Sequence, residues 1–166
     1  MRASQQAMPT LSINLAIAMA GQVIGVSGSW AAIDRQSSCE ALTRSPYPAT
    51  RNRGVATAGF RFTPDRRQWG QFHVALSRVP RAGATVMLEV GRQPFLLVSR
   101  GQDAWSRGTA QDRAIIAALR SAGAMKVSTR SGTGGRFTDR FEVRGVATAI
   151  DAAAARCALR GAGKIR

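Results

Sequence analysis

The 166-residue chain is expected to fold as a mainly β protein: an antiparallel β-sandwich or partly open barrel of about eight strands, with one inserted helix and one C-terminal helix. Three observations lead there. Short runs of strict apolar/polar alternation recur, the clearest at residues 71–76 and 137–143. Turn residues separate these runs at short intervals. Only two stretches carry helical spacing, one around residues 115–119 and one from residue 146 onward.

Taken in order, residues 28–35 and 39–43 predict a hairpin across the turn at 36–38. Residues 44–54 hold Pro46, Pro48, Arg44, Arg51 and Arg53 and predict a basic loop. A strand at 55–62 and a polar turn containing Arg66 and Arg67 follow. In residues 71–76, Phe72, Val74 and Leu76 share the core face, and His73 is expected to point away into solvent. Residues 84–90 and 93–99 predict a second hairpin with Gly91 and Arg92 at its centre, and Pro94 marks a strand start or an edge.

Thr109 is expected to cap the first helix, with Asp112 near its positive end and Ile115, Ile116 and Leu119 as its apolar stripe. Gly123 ends it. A strand at 125–130 leads into the glycine-rich turn 131–135. That turn lacks the Lys-Ser/Thr and the following helix that a phosphate cradle needs. The last strand places Phe137, Asp139, Phe141 and Val143 on one face and Arg136, Thr138, Arg140, Glu142 and Arg144 on the other. Asp139 therefore reads as a buried carboxylate held by backbone N–H groups or an arginine, or as a bulge. Gly145 then turns the chain into an alanine-rich helix with Cys157 near its end.

The charge is strongly unbalanced: 24 Lys and Arg against 9 Asp and Glu, net +15, with Lys126 and Lys164 the only lysines. Such a chain favours anionic surfaces, such as lipid or lipopolysaccharide headgroups, unless its arginines simply lie on solvated faces. Residues 1–20 resemble an export signal, with Arg2 as the only charge, an apolar run from Leu11 and a small-x-small pattern at Ala18-Met-Ala20. That leaves residues 21–166 as a single β-rich domain in the periplasm or outside the cell. The apolar run is too short to span a bilayer. Two cysteines suit one disulfide, Cys39–Cys157, in an oxidising compartment; two unrelated buried thiols are the alternative. Two cysteines and a lone histidine do not make a metal site.

The order of these segments resembles the invasion-associated locus B family of exported bacterial proteins. The residues that carry the resemblance are Gly28-Ser-Trp30 with Cys39, the run from Gly83 to Gly91, the helix around Ile115 and Leu119, the strand from Phe137 to Val143, and Gly145-Val-Ala-Thr-Ala-Ile-Asp-Ala152. Many members carry Cys-x-x-x-Gly-Cys after the central hairpin. Here that place runs from Ser99 to Trp105 without a cysteine, so the staple is arranged differently. The resemblance implies a β-rich, exported, non-enzymatic protein linked to host-cell invasion.

Three functions are carried forward. The first is a non-enzymatic envelope protein acting through Arg44, Arg51, Arg53, Arg66, Arg67, Arg136, Arg140 and Arg144 on anionic lipid, lipopolysaccharide or an envelope or host protein, without a cofactor. The second is a protein-interaction module anchored by Trp69, Trp105 or the basic loop. The third is a hydrolase, for which His73, Asp139 and Glu142 are the best constellation. Specific nucleic-acid binding is disfavoured by export and by the lack of aromatic stacking motifs.

Overall fold

The computed structural model describes residues 21–163; the expected signal at 1–20 and the tail residues 164–166 lie outside the described residues. The described residues form ten strands: β1 Gln22–Ser27, β2 Trp30–Asp34, β3 Cys39–Arg44, β4 Thr57–Phe62, β5 Trp69–Ala75, β6 Val86–Val90, β7 Gln93–Arg100, β8 Asp103–Trp105, β9 Met125–Arg130 and β10 Arg136–Phe141. Helix α1 spans Thr109–Leu119 between β8 and β9, and helix α2 spans Val146–Ala162 after β10. The mainly β class with one inserted and one C-terminal helix is as expected. The strand number is higher, because β1 and the three-residue β8 have no alternation that marks them.

All strand pairs are antiparallel, in one open sheet of order β1-β2-β3-β4-β5-β8-β7-β6-β9-β10. Five strands meander, β8-β7-β6 continue the sheet in reverse, and the β9–β10 hairpin joins at β6. The sheet curls until its far end returns to its start. The indole Nε1–H of Trp30 donates to the carbonyl of Glu142 at 2.8 Å, and the Ser29 N–H to that of Arg144 at 3.3 Å. Gly28 and Gly145 make this closure possible. A Cβ on Gly28 would lie 2.1 Å from the Arg144 carbonyl oxygen, and one on Gly145 would lie 1.8 Å from that of Ser27. Both have positive φ, so any side chain at either place would be strained as well as blocked.

The concave face holds the core. Trp30, Phe60 and Phe72 form a chain of rings with centroids 6.1 and 5.4 Å apart, and Leu88, Val127 and Ile115 extend it. Helix α2 lays Ala149, Ala153 and Cys157 against β2 and β3, and the alanines allow close approach. The disulfide Cys39–Cys157 joins β3 to α2 across 118 residues, with the Cα atoms 5.7 Å apart.

Two expectations are corrected. Thr109 is the first helical residue and not the cap; Gly108 occupies the cap position and no side chain caps the end. Asp112 lies in the first turn, as expected, and its carboxylate accepts hydrogen bonds from the Phe72 N–H at 3.1 Å and the Ser106 hydroxyl. His73 does lie on the outer face, but it is half-buried against Gly59 and is not freely solvated. Gly59 has no side chain, so the imidazole settles onto the sheet. Burial holds His73 below its usual pKa; the Glu40 charge opposes this and Arg61 adds to it.

Candidate anion-binding surface

Directly paired residues in an antiparallel sheet point to the same face. The register therefore decides which arginines meet. On the outer face of β9–β10, Arg136 pairs with Arg130, Thr138 with Ser128, and Arg140 with Lys126. Four cations thus flank a small hydroxyl row, in which Ser128 and Thr138 hydrogen-bond at 2.9 Å. Glu89 of β6, opposite Lys126, reaches its ammonium at 3.0 Å. Arg130, Arg136 and Arg140 make no ion pair among the described residues.

The eight arginines singled out from sequence do not form one patch. Arg136 and Arg140 belong to the β9–β10 face, and exposed Arg144 follows in the loop after β10. Arg44 and Arg51 are exposed at the other end of the chain, in and after β3. Arg53 serves the structure: its guanidinium lies 3.4 Å from Asp139 and 5.3 Å from the Tyr47 ring centroid. Arg66 stacks over Trp69 at 4.4 Å, and Arg67 pairs with Asp65 at 3.4 Å. Lys126 and Arg130 were missed, because their place beside Arg140 and Arg136 depends on the hairpin register and not on local composition.

A second charged cluster was also missed. Glu40 of β3 faces outward yet is only 3% exposed. It accepts from Arg35 Nε at 2.7 Å on one oxygen and from Arg61 Nε at 2.8 Å on the other. Burial opposes its ionisation, but the hydrogen bonds and charges of Arg35 and Arg61 outweigh burial and hold the carboxyl below its usual pKa. Its only sequence signal is the pairing of Glu40 with Arg61, which appears once β3 and β4 are in register.

Asp139 is fully buried, as one of its expected readings has it. Its carboxylate accepts from the Ser77 N–H at 2.8 Å and the Ser77 hydroxyl at 2.5 Å, with Arg53 nearby. The His73, Asp139 and Glu142 constellation is not assembled. Asp139 faces the interior, His73 the outer side of β5, and Glu142 is exposed beyond β10. Of the two tryptophan anchors, Trp69 packs edge-on against Phe62 at 5.3 Å and is half-covered. Trp105 lies half-buried beside His73 and Val98.

No family model, curated protein or solved structure matches this chain. Among the described residues, no helix is long and apolar enough to cross a membrane.

Proposed function

We propose that this chain is an exported, non-enzymatic cell-envelope protein of the invasion-associated locus B type, acting in the periplasm or outside the cell. It works by laying a basic surface on anionic lipid or lipopolysaccharide. The observation that carries this reading is the set Lys126, Arg130, Arg136 and Arg140 on one exposed sheet face, with the acids Glu89 and Glu142 only at its Lys126–Arg140 end. The long-range disulfide fits an oxidising compartment. Two of the segments that carry the resemblance, Gly28-Ser-Trp30 and the helix led by Gly145, meet at the sheet closure.

A cation near an anionic leaflet contributes about 1 kcal/mol, falling off within a Debye length of about 10 Å at 0.1 M salt. Four such cations hold a protein at a charged surface and release it in high salt. The test is sedimentation with vesicles of phosphatidylglycerol and phosphatidylcholine, and separately with lipopolysaccharide, across a salt series. Binding that needs the anionic component and weakens steadily with salt is expected. No binding to either at low salt would overturn the reading.

A second reading, a protein-interaction module, has its own observation. Val26, Ala31, Leu42, Gly59, His73, Trp105 and Val98 are successive partners across the outer face, and Val26 and Val98 are exposed. A stoichiometric, salt-insensitive protein partner from envelope extract, lost in Trp105→Ala, would favour it.

A further inference from the structure

The Glu40 cluster sits in a cleft of about 1000 Å³, separate in the sheet order from the β9–β10 face. Its walls are the β2–β3 turn, the outer face of β3 and β4, the β4–β5 turn and the end of α2. We propose that this cleft is a specific site for a phosphate group, either free or as a phosphomonoester headgroup, held by Arg35 and Arg61.

The argument begins with stoichiometry. A buried carboxylate needs one guanidinium to balance it, and Glu40 has two. One positive charge is left over at Glu40, and the other acid lining the cleft, Asp65, is paired with Arg67 at 3.4 Å. The guanidinium groups are anchored differently from free surface arginines. Glu40 takes Nε of Arg35, and neither terminal amino group of that fork hydrogen-bonds an acid among the described residues. It takes Nε and one terminal nitrogen of Arg61, which leaves the other. Both side chains are part-exposed, at 36% and 43%, while the acid beneath them is sealed at 4%. The free ends of the two forks therefore face the cleft.

The rim is held as well. Arg160 near the end of α2 binds Asp34 at 2.6 Å and caps the carbonyls of Arg35 and Gln36, so the helix end and the β2–β3 turn move together. The disulfide ties Cys39, the neighbour of Glu40, to the same helix. Gln36 and Gln68 add amide donors to the lining. Guanidinium forks match the oxygens of a tetrahedral phosphate, and forks held in advance lose little freedom on binding.

The test is calorimetric titration of the disulfide-bonded protein with inorganic phosphate, with acetate as the planar comparison. Saturable one-to-one binding of phosphate is expected, with acetate weaker by about tenfold or more. Arg35→Gln and Arg61→Gln should each lower phosphate affinity by about tenfold or more, and Arg136→Gln with Arg140→Gln should not. Arg61→Lys keeps the charge but lacks the fork, so it should also lose most of the affinity while its unfolding midpoint confirms that it is folded. Phosphatidic acid vesicles form a second arm. Arg35- and Arg61-dependent binding that is tighter for these vesicles than for inorganic phosphate assigns the site to a lipid headgroup; tighter binding of inorganic phosphate assigns it to the free ion. Absence of saturable binding in both arms, equal affinity for acetate, or an equal loss in the Arg136 and Arg140 variant would overturn the proposal. Loss of phosphate binding with salt-sensitive binding to anionic vesicles retained sinks this site alone and leaves the β9–β10 reading standing.

Discussion

Two regions of the sheet's outer face display arginines in opposite ways. On β9–β10, Arg130, Arg136 and Arg140 stand in solvent without an acid partner among the described residues. On β3–β4, Arg35 and Arg61 close over the sealed carboxylate of Glu40. Exposed flexible cations supply attraction without geometry, and their effect is screened by salt. Cations fixed on a buried acid supply direction, and they also become part of the fold. The two regions should therefore separate in experiment: changes at one should move stability and selectivity, and changes at the other should move only surface attraction.

The largest effect is expected beneath the fixed pair. Closing a loop of 118 residues contributes about 5 kcal/mol in the loop-entropy account. Cys39→Ser with Cys157→Ser should lower the unfolding free energy in urea by about that much. A loss below about 1 kcal/mol would mean that α2 is held on β3 by packing alone.

Next is Glu40→Gln, which leaves two guanidinium groups facing each other over a neutral amide. A loss of about 1–3 kcal/mol is expected at neutral pH, less than for a fully buried pair because both arginines reach solvent. The pH dependence has a definite sign. The folded carboxyl titrates below its ordinary value, so its contribution is present above the unfolded pKa of about 4.3 and is lost as pH falls through the lower folded value. The gap between wild type and variant should close in that acid window and stay constant above it. A gap that persists at low pH would assign the loss to packing.

Under the β9–β10 face the expected change is smaller and of opposite sign. Thr129 of β9 is buried and its hydroxyl has no protein partner among the described residues. Thr129→Val keeps the shape and removes that group, so a gain of about 1 kcal/mol in thermal unfolding is expected. On the face itself, Arg136→Gln with Arg140→Gln should alter stability by less than about 0.5 kcal/mol.

The contrast also explains what could be read from the chain alone. Alternation at residues 71–76 and in the last strand placed Phe72, Val74, Phe137 and Phe141 inward, where they are. It also put Asp139 on the core face, where Ser77 satisfies it. The two cysteines pointed to each other by number and by the oxidising compartment expected for them, and they are joined. Strand β1 was not legible, because Gln22–Ser27 is mostly exposed and shows no two-residue rhythm. Strand β8 is too short to have one. The Glu40 clamp was hidden for another reason. Arg35 comes from the β2–β3 turn, Glu40 from β3 and Arg61 from β4, and only the registers of β2 with β3 and of β3 with β4 bring them together. Arg130 and Lys126 were hidden in the same way, by the β9–β10 register. Local patterns reveal which face a residue takes; the neighbours across strands depend on register.

The two regions can be compared in one measurement. Partitioning onto phosphatidylglycerol vesicles would be recorded at low salt for wild type, for Arg136→Gln with Arg140→Gln, and for Arg35→Gln with Arg61→Gln. Removing two solvated cations should weaken partitioning by about 2 kcal/mol, roughly thirtyfold. Removing the clamped pair, whose net charge is partly cancelled by Glu40, should weaken it much less. Equal losses in the two variants, or none in the first, would contradict a surface that acts through β9–β10.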